Sequence, residues 1–211
     1  MIKSLIFDLD GTLVDSKKEI YSAVKDASEL NGWVVPTYNE FAPYLGKTID
    51  VFYTDFLGMT EKCAESAVQL FRQEYSKYCL QSVAFSDVPI FLSNAKEKKL
   101  LLGIVTSKSV SLANNVCDKC DLTKYFDVII GSIDGYVTSK ISMIEKCLNR
   151  LNVSAKDAIY VGDTLSDFKS STAANVQFIG VSYGYGNLSG EVVSNTIVVD
   201  RLEDIFNKIS I

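Results

Sequence analysis

Phe7-Asp8-Leu9-Asp10-Gly11-Thr12-Leu13-Val14-Asp15 closes the first apolar run of the chain and sets two carboxylates two residues apart. The run before it, residues 3–8, contains Leu5-Ile6-Phe7 without a polar break, as a strand buried on both faces requires. Residues i and i+2 of an extended strand point the same way, so Asp8 and Asp10 face one reacting group, and Gly11 supplies the permissive backbone at which the chain turns away. Two neighbouring carboxylates repel, so the pair needs a cation or a shared proton. Taken alone, the same pattern also describes a strand-end turn in which Asp acts as a cap.

Outward from this stretch, short β-branched or apolar runs alternate with longer amphipathic segments. The pattern predicts strands over residues 3–8, 101–106, 127–130, 158–162, 176–181 and 196–199. Helices are predicted over about 87–99, 109–120, 140–151, 165–174 and 201–209. This alternation predicts an α/β fold, a doubly wound parallel sheet with a Rossmann-like core. Residues 16–84 break the rhythm: they hold no strand signal and are far longer than a crossover needs. Ser16-Lys17-Lys18-Glu19 matches a capping box opening a helix through residue 31, and residues 60–80 read as a long helix with Ala64, Ala67, Val68, Phe71 and Tyr75 on its apolar face. The expected organisation is a core of residues 1–15 and 85–211 and an inserted all-helical domain of residues 16–84.

Composition excludes several function classes. The 211 residues carry 21 Lys+Arg against 26 Asp+Glu, a net charge of −5, which repels phosphate backbones and acidic membranes and argues against a nucleic-acid or membrane partner. The chain has no histidine, so Ser-His and Cys-His nucleophile pairs and His-based zinc sites are excluded. Five cysteines, an odd number, suit reduced thiols, and with no signal-peptide pattern the expected location is cytoplasmic. Cys117-Asp118-Lys119-Cys120 has no second Cys pair with which to build a zinc site.

Three more strand ends carry polar groups. Ile104-Val105-Thr106-Ser107-Lys108 presents hydroxyls and backbone N–H groups able to bind an anion, or to cap a helix. Val161-Gly162-Asp163-Thr164-Leu165-Ser166-Asp167 places two carboxylates four apart across a helix start, which puts both on one helical face. Asp there also caps free N–H groups, but with Asp8 and Asp10 the set makes four hard-oxygen acids in one crevice, the chemistry Mg²⁺ selects. Lys140, opening the helix after the third strand, is the candidate counter-charge. A Ser107-Lys108 dyad for acyl transfer is a poor arrangement, because adjacent residues of an extended strand point to opposite sides.

In order along the chain, D-x-D-G-T, T-S-K, a lysine and G-D-x-x-x-D at successive strand ends resemble the haloacid dehalogenase superfamily of phosphotransferases, specifically the phosphoglycolate-phosphatase-like members with a helical cap. The resemblance spans nearly the whole chain. It implies a Mg²⁺-dependent phosphomonoester hydrolase of a small phosphorylated metabolite. Asp8 would be the nucleophile that becomes an aspartyl-phosphate, and Asp10 the general acid and base that also gives a backbone carbonyl to Mg²⁺. Thr106 and the Ser107 backbone would hold the phosphoryl group, Lys140 would steady nucleophile and phosphate, Asp163 would ligate Mg²⁺, and Asp167 would do so through water. Gly46 and Lys47 resemble the cap loop that reaches the substrate, Lys47 toward a carboxylate. The assembly expected is a monomer or homodimer.

Departures bear on the substrate. Thr138-Ser139-Lys140-Ile141 stands where Lys-Pro is common, and Val181-Ser182-Tyr183-Gly184-Tyr185-Gly186 resembles a glycine-tyrosine segment of the same subgroup. Dehalogenases lack the second aspartate that Asp10 supplies. Sugar phosphomutases use a cap histidine and an arginine where Ile49 stands. Phosphoglycolate is the leading substrate, with a 5′-nucleotidase or pyrophosphatase as the alternative and a non-catalytic phospholigand-binding domain as the rival of another class.

Overall fold

A computed structural model describes residues 1–133, 139–186, 188 and 196–209. The chain divides into two compact units, Met1–Asp15 with Val83–Ile211, and Ser16–Ser82.

The first unit is built on a six-stranded parallel sheet. Its strands are β1 (Ser4–Phe7), β4 (Leu101–Ser109), β5 (Val128–Ser132), β6 (Ala158–Gly162), β7 (Gln177–Val181) and β8 (Ile197–Val199). Their spatial order is β5-β4-β1-β6-β7-β8. Numbered by chain position within this sheet, that is 3-2-1-4-5-6, the doubly wound order in which ligands bind outside the carboxyl ends of the strands where the order reverses. Here the reversal falls at β1, between β4 and β6. Leu5, Ile6 and Phe7 are fully buried, each contributing roughly 1.5–3 kcal/mol. Phe7 pairs with Ile104 on one side and Val161 on the other, so burial and two ladders fix where the backbone of Asp8 begins.

Helices α5 (Val88–Glu97), α6 (Val110–Lys119), α7 (Lys140–Leu151) and α8 (Leu165–Ala173) flank the sheet. Met143, Ile144, Cys147, Leu148 and Leu151 of α7 are buried in one cluster with Ile6, Val105 and Tyr160.

The observed elements differ from the sequence pattern in definable ways. The strand expected to stop at 106 continues to Ser109 through a register shift after Val105, and the cap of α6 is Ser109, whose Oγ accepts from Leu112 N at 3.4 Å. The expected helix over 201–209 is a 3-10 helix, Leu202–Asn207. A two-residue ladder joins β2 (Val14–Asp15) to β3 (Val83–Ala84) in antiparallel pairing. Two residues carry no periodicity, so 83 and 84, expected in the insert, pair instead with Val14 and Asp15 of the first unit.

The second unit holds α1 (Lys17–Leu30), α2 (Tyr38–Phe41), α3 (Ile49–Asp55) and α4 (Glu61–Tyr78). Ser16 is the N-cap of α1, yet its side chain makes no capping hydrogen bond, so the box expected at 16–19 is not formed. Thr60 does cap α4, accepting from Cys63 N at 3.4 Å. Ala64, Ala67 and Tyr75 of α4 are buried, and Phe52 sits against Phe41 and Tyr44 with centroids 5.2 and 5.4 Å away.

Gly103 of β4 lies against α7: a Cβ there would stand 2.6 Å from Cys147 Sγ. Gly103→Ala is expected to cost about 1–3 kcal/mol through overpacking. Adding Cys147→Ala should recover part of the loss, read from the denaturant midpoints of the two variants.

Candidate active site

Asp8 leaves β1 with its backbone N–H donating to Val161 O at 2.9 Å. Two residues beyond Val161, β6 gives way to Asp163, which is fully buried, as is Asp167 in the first turn of α8. One carboxylate oxygen from each of Asp8, Asp163 and Asp167 lies within 4.8 Å of the others. Lys140, the first residue of α7, reaches into this group, with Nζ 3.2 Å from Asp8 Oδ1 and 2.5 Å from Asp167 Oδ1. Three acids on three elements therefore meet one ammonium in a space largely closed to water.

Each acid is held separately. Asp167 completes a capping box: Thr164 N and Oγ1 donate to its Oδ2 at 3.0 and 2.6 Å, and its own N–H donates back to Thr164 Oγ1 at 3.1 Å. The Tyr160 hydroxyl donates to Val105 O at 2.9 Å and lies 3.4 Å from Asp167 Oδ1. Asp163 accepts from Thr12 Oγ1 at 3.1 Å and from the backbone N–H groups of Tyr185 at 2.7 Å and Gly186 at 3.3 Å.

The glycine-tyrosine segment after β7 is thus a cradle for Asp163. Tyr183 OH donates to Thr12 O at 2.8 Å and Tyr185 OH to Asp15 Oδ1 at 3.2 Å, tying that segment to the turn after β1. A Cβ at Gly184 would stand 2.2 Å from Asp163 Cβ, so no side chain fits there. Gly11, at φ +80°, turns the chain in the left-handed region, where a Cβ would meet Asp163 Oδ2 at 2.4 Å.

Burial pushes the Asp8 carboxyl well above the ordinary carboxylate range. The Lys140 ammonium opposes that push, and the neighbouring acids add to it. Burial, with the Asp167 charge, pushes Asp163 up to about 6 against the hydrogen bonds it accepts. For Lys140 burial alone favours the neutral amine, but the Asp167 and Asp8 charges outweigh it and its value rises. Three hard-oxygen donors against one ammonium, with two of the carboxyls strained toward protonation, is a donor set that a divalent cation such as Mg²⁺ fits.

The remaining sequence candidates fall in different places. Thr106 is buried on β4 and its Oγ1 accepts from Lys108 N at 3.2 Å, while Ser107 is exposed. Asp10 pairs with Lys108, Nζ to Oδ2 3.2 Å. Gly46 and Lys47 belong to the second unit, in the turn before α3, where Lys47 Nζ sits 5.0 Å from the Tyr44 ring centroid. Ser139 is the N-cap of α7, and Thr138 lies outside the described residues. Cys117 is a buried thiol pushed up to about 12 by burial, which favours its protonated form.

The profile of the haloacid dehalogenase-like hydrolases matches residues 5–181, which includes every one of these acids and Lys140. The chain belongs to the haloacid dehalogenase-like hydrolases. Among its relatives in this family, a phosphoglycolate phosphatase of Aquifex aeolicus is 27% identical over 199 residues, covering 93% of this chain and 92% of the relative. The tyrosine-protein kinase PtkA of Mycobacterium tuberculosis is 28% identical over 209 residues, 95% of this chain and 71% of the kinase. The crystal structure of a predicted phosphatase from Clostridium acetobutylicum superposes with a TM-score of 0.89 at 27% identity, covering 99% of this chain and 98% of the other.

No local sequence pattern places Thr12, Tyr160 or residues 183–186 beside these acids. In sequence the glycine-tyrosine segment reads equally well as a Gly-rich loop after a strand; the N–H groups of Tyr185 and Gly186 pointing at Asp163 distinguish it.

The Asp163 carboxyl has an ordinary value of 3.8 and a native value of about 6. Between these the native state binds more protons than the unfolded one, so its contribution to stability falls as pH rises through that window. In EDTA, the thermal midpoint is expected to drop between pH 4.5 and 6.5. The drop should be smaller in Asp163→Asn.

Proposed function

We propose that this haloacid dehalogenase-like hydrolase is a Mg²⁺-dependent phosphomonoester hydrolase acting on a small phosphorylated metabolite through an aspartyl-phosphate on Asp8, with phosphoglycolate as the leading substrate. The observation that carries the proposal is the single ammonium of Lys140 spanning Asp8 and Asp167, with Asp163 in the same buried group. Phosphoryl transfer asks a protein for positioning and for positive charge near the transferred group; the cluster supports this reading by offering position through its acids and charge through Lys140 and the cation those acids would hold.

In this reading an Asp8 carboxylate oxygen bonds to phosphorus as the ester O–P bond breaks, and Asp10 gives its proton to the leaving oxygen. Asp10 then takes a proton from the water that attacks the aspartyl-phosphate, which releases inorganic phosphate and restores Asp8. The Thr106 hydroxyl and the Ser107 backbone N–H hold phosphoryl oxygens, and Lys140 favours the ionised form of Asp8 and holds it in place. Asp8, Asp163 and the Asp10 backbone carbonyl would hold Mg²⁺, with Asp167 acting through water. Bound there, the ion supplies positive charge opposite the phosphoryl oxygens.

The substrate assignment rests on the Aquifex relative and on the sequence resemblance. A relative named as a tyrosine kinase indicates that neighbouring sequences transfer phosphoryl groups in other settings. Gly46 and Lys47 are proposed for substrate recognition on sequence resemblance alone, and the second unit is proposed as the cap that resemblance implies.

Phosphate release from phosphoglycolate, nucleoside monophosphates, pyrophosphate, sugar phosphates and p-nitrophenyl phosphate, with Mg²⁺ and with EDTA, tests the proposal. Asp8→Asn is expected to lower turnover at least ~10³-fold, as loss of a nucleophile does, and EDTA to abolish it. Full activity in Asp8→Asn overturns the mechanism. Preference for a nucleotide or pyrophosphate moves the substrate assignment to the 5′-nucleotidase or pyrophosphatase reading. Silence across the panel in folded protein favours a phospholigand-binding role.

A further inference from the structure

Each acid of the D-x-D pair has an ammonium beside it, and the two ammonium groups come from different elements. Lys140 serves Asp8 at 3.2 Å, and Lys108 on β4 serves Asp10, Nζ to Oδ2 also at 3.2 Å. The Lys108 side chain is only 6% exposed, and that of Asp10 20%. A lysine at a strand end ordinarily keeps its ammonium in water, because stripping that hydration costs several kcal/mol unless an opposite charge meets it. Lys108 is instead drawn inward, and its backbone N–H donates to Thr106 Oγ1. The same residue thus touches the hydroxyl proposed to hold the phosphoryl group and the carboxylate proposed to move the proton.

Asp10 sits in the turn after β1, bridged to Val14 and followed by the left-handed Gly11. The terminal torsion of an Asp side chain has a broad minimum, so the backbone alone does not fix its carboxyl plane. A misplacement of about 1 Å in a reacting group can cost ~10²-fold in rate. We propose that Lys108 is a positioning residue for Asp10, gripping Oδ2 so that the proton exchanged with the leaving group and with water is carried on Oδ1. The assignment rests on the proposed phosphatase mechanism and adds to it the residue that orients its acid and base.

The test is a leaving-group comparison in kcat/KM, which covers only the steps through departure of the alcohol or phenol. An alkyl monoester such as phosphoglycolate needs a proton on its leaving oxygen, whereas p-nitrophenyl phosphate expels a stable phenolate without one. Lys108→Met is expected to lower kcat/KM for the alkyl ester ~10- to 100-fold more than for the aryl ester, and Lys108→Arg to restore most of the ratio. In an Asp10→Asn background, Lys108→Met should leave the alkyl-to-aryl ratio where Asp10→Asn put it, because two residues acting as one unit are not additive.

Equal loss for both esters, or a further ratio change in the Asp10→Asn background, overturns the assignment and makes Lys108 a substrate contact or a structural residue. If Lys108→Met does not fold, Lys108→Gln and Lys108→Arg carry the same ratio. Absence of phosphate release by the wild-type protein from every alkyl and aryl phosphate of the panel defeats the phosphatase reading and Lys108's role with it. An active wild type with an unchanged ratio defeats only the latter.

Discussion

Three carboxylates buried around one ammonium are the constraint on which the rest of this protein turns. Asp8, Asp163 and Asp167 gather within 4.8 Å, and Lys140 spans two of them. Charges stripped of water are costly unless paired and hydrogen-bonded, and one lysine does not neutralise three acids. The protein therefore surrounds the cluster with donors. The Thr164 box holds Asp167, and Thr12 with the 185–186 amides holds Asp163. Asp8 follows directly on β1, a strand buried along its whole length. The charge that remains is what a divalent cation would balance, and the upward push on Asp8 and Asp163 expresses that imbalance.

The sheet exists in a form that serves this cluster. Placing β1 between β4 and β6 brings three strand ends to one edge, so that residues near positions 8, 106 and 163 meet although they are distant in sequence. The apolar run Leu5-Ile6-Phe7 supplies the energy that holds Asp8 there, since two parallel ladders and full burial leave no freedom of register. Lys108, from β4, brings a second ammonium to the same strand ends, 3.2 Å from Asp10.

Much of this was legible in the sequence because each acid sits where a periodic pattern stops. Asp8 and Asp10 end an apolar run, Asp163 and Asp167 straddle a strand-to-helix switch, and Lys140 opens an amphipathic helix. The family resemblance and the parallel α/β core follow from those junctions. What remained hidden depends on long-range geometry: nothing local says that the amides after β7 point at Asp163, that Tyr160 reaches under Asp167, or that Lys108 folds inward to Asp10. Local signals also misled where they were weak. Ser16 satisfies the capping-box pattern without forming the bond, and the two-residue ladder of β2 with β3 is too short to leave a mark.

The cradle of Asp163 has a kinetic meaning too. The Thr12–Asp163 hydrogen bond spans 151 residues and the Tyr183–Thr12 bond 171, so both close only after almost the entire chain is in hand. Closing such loops costs entropy before any contact repays it. During synthesis the first strand must wait for the fourth parallel strand and for the tyrosines beyond the fifth before its aspartate has a finished surrounding. The acidic cluster therefore lacks its full set of hydrogen-bond donors until Tyr185 and Gly186 have been added to the chain.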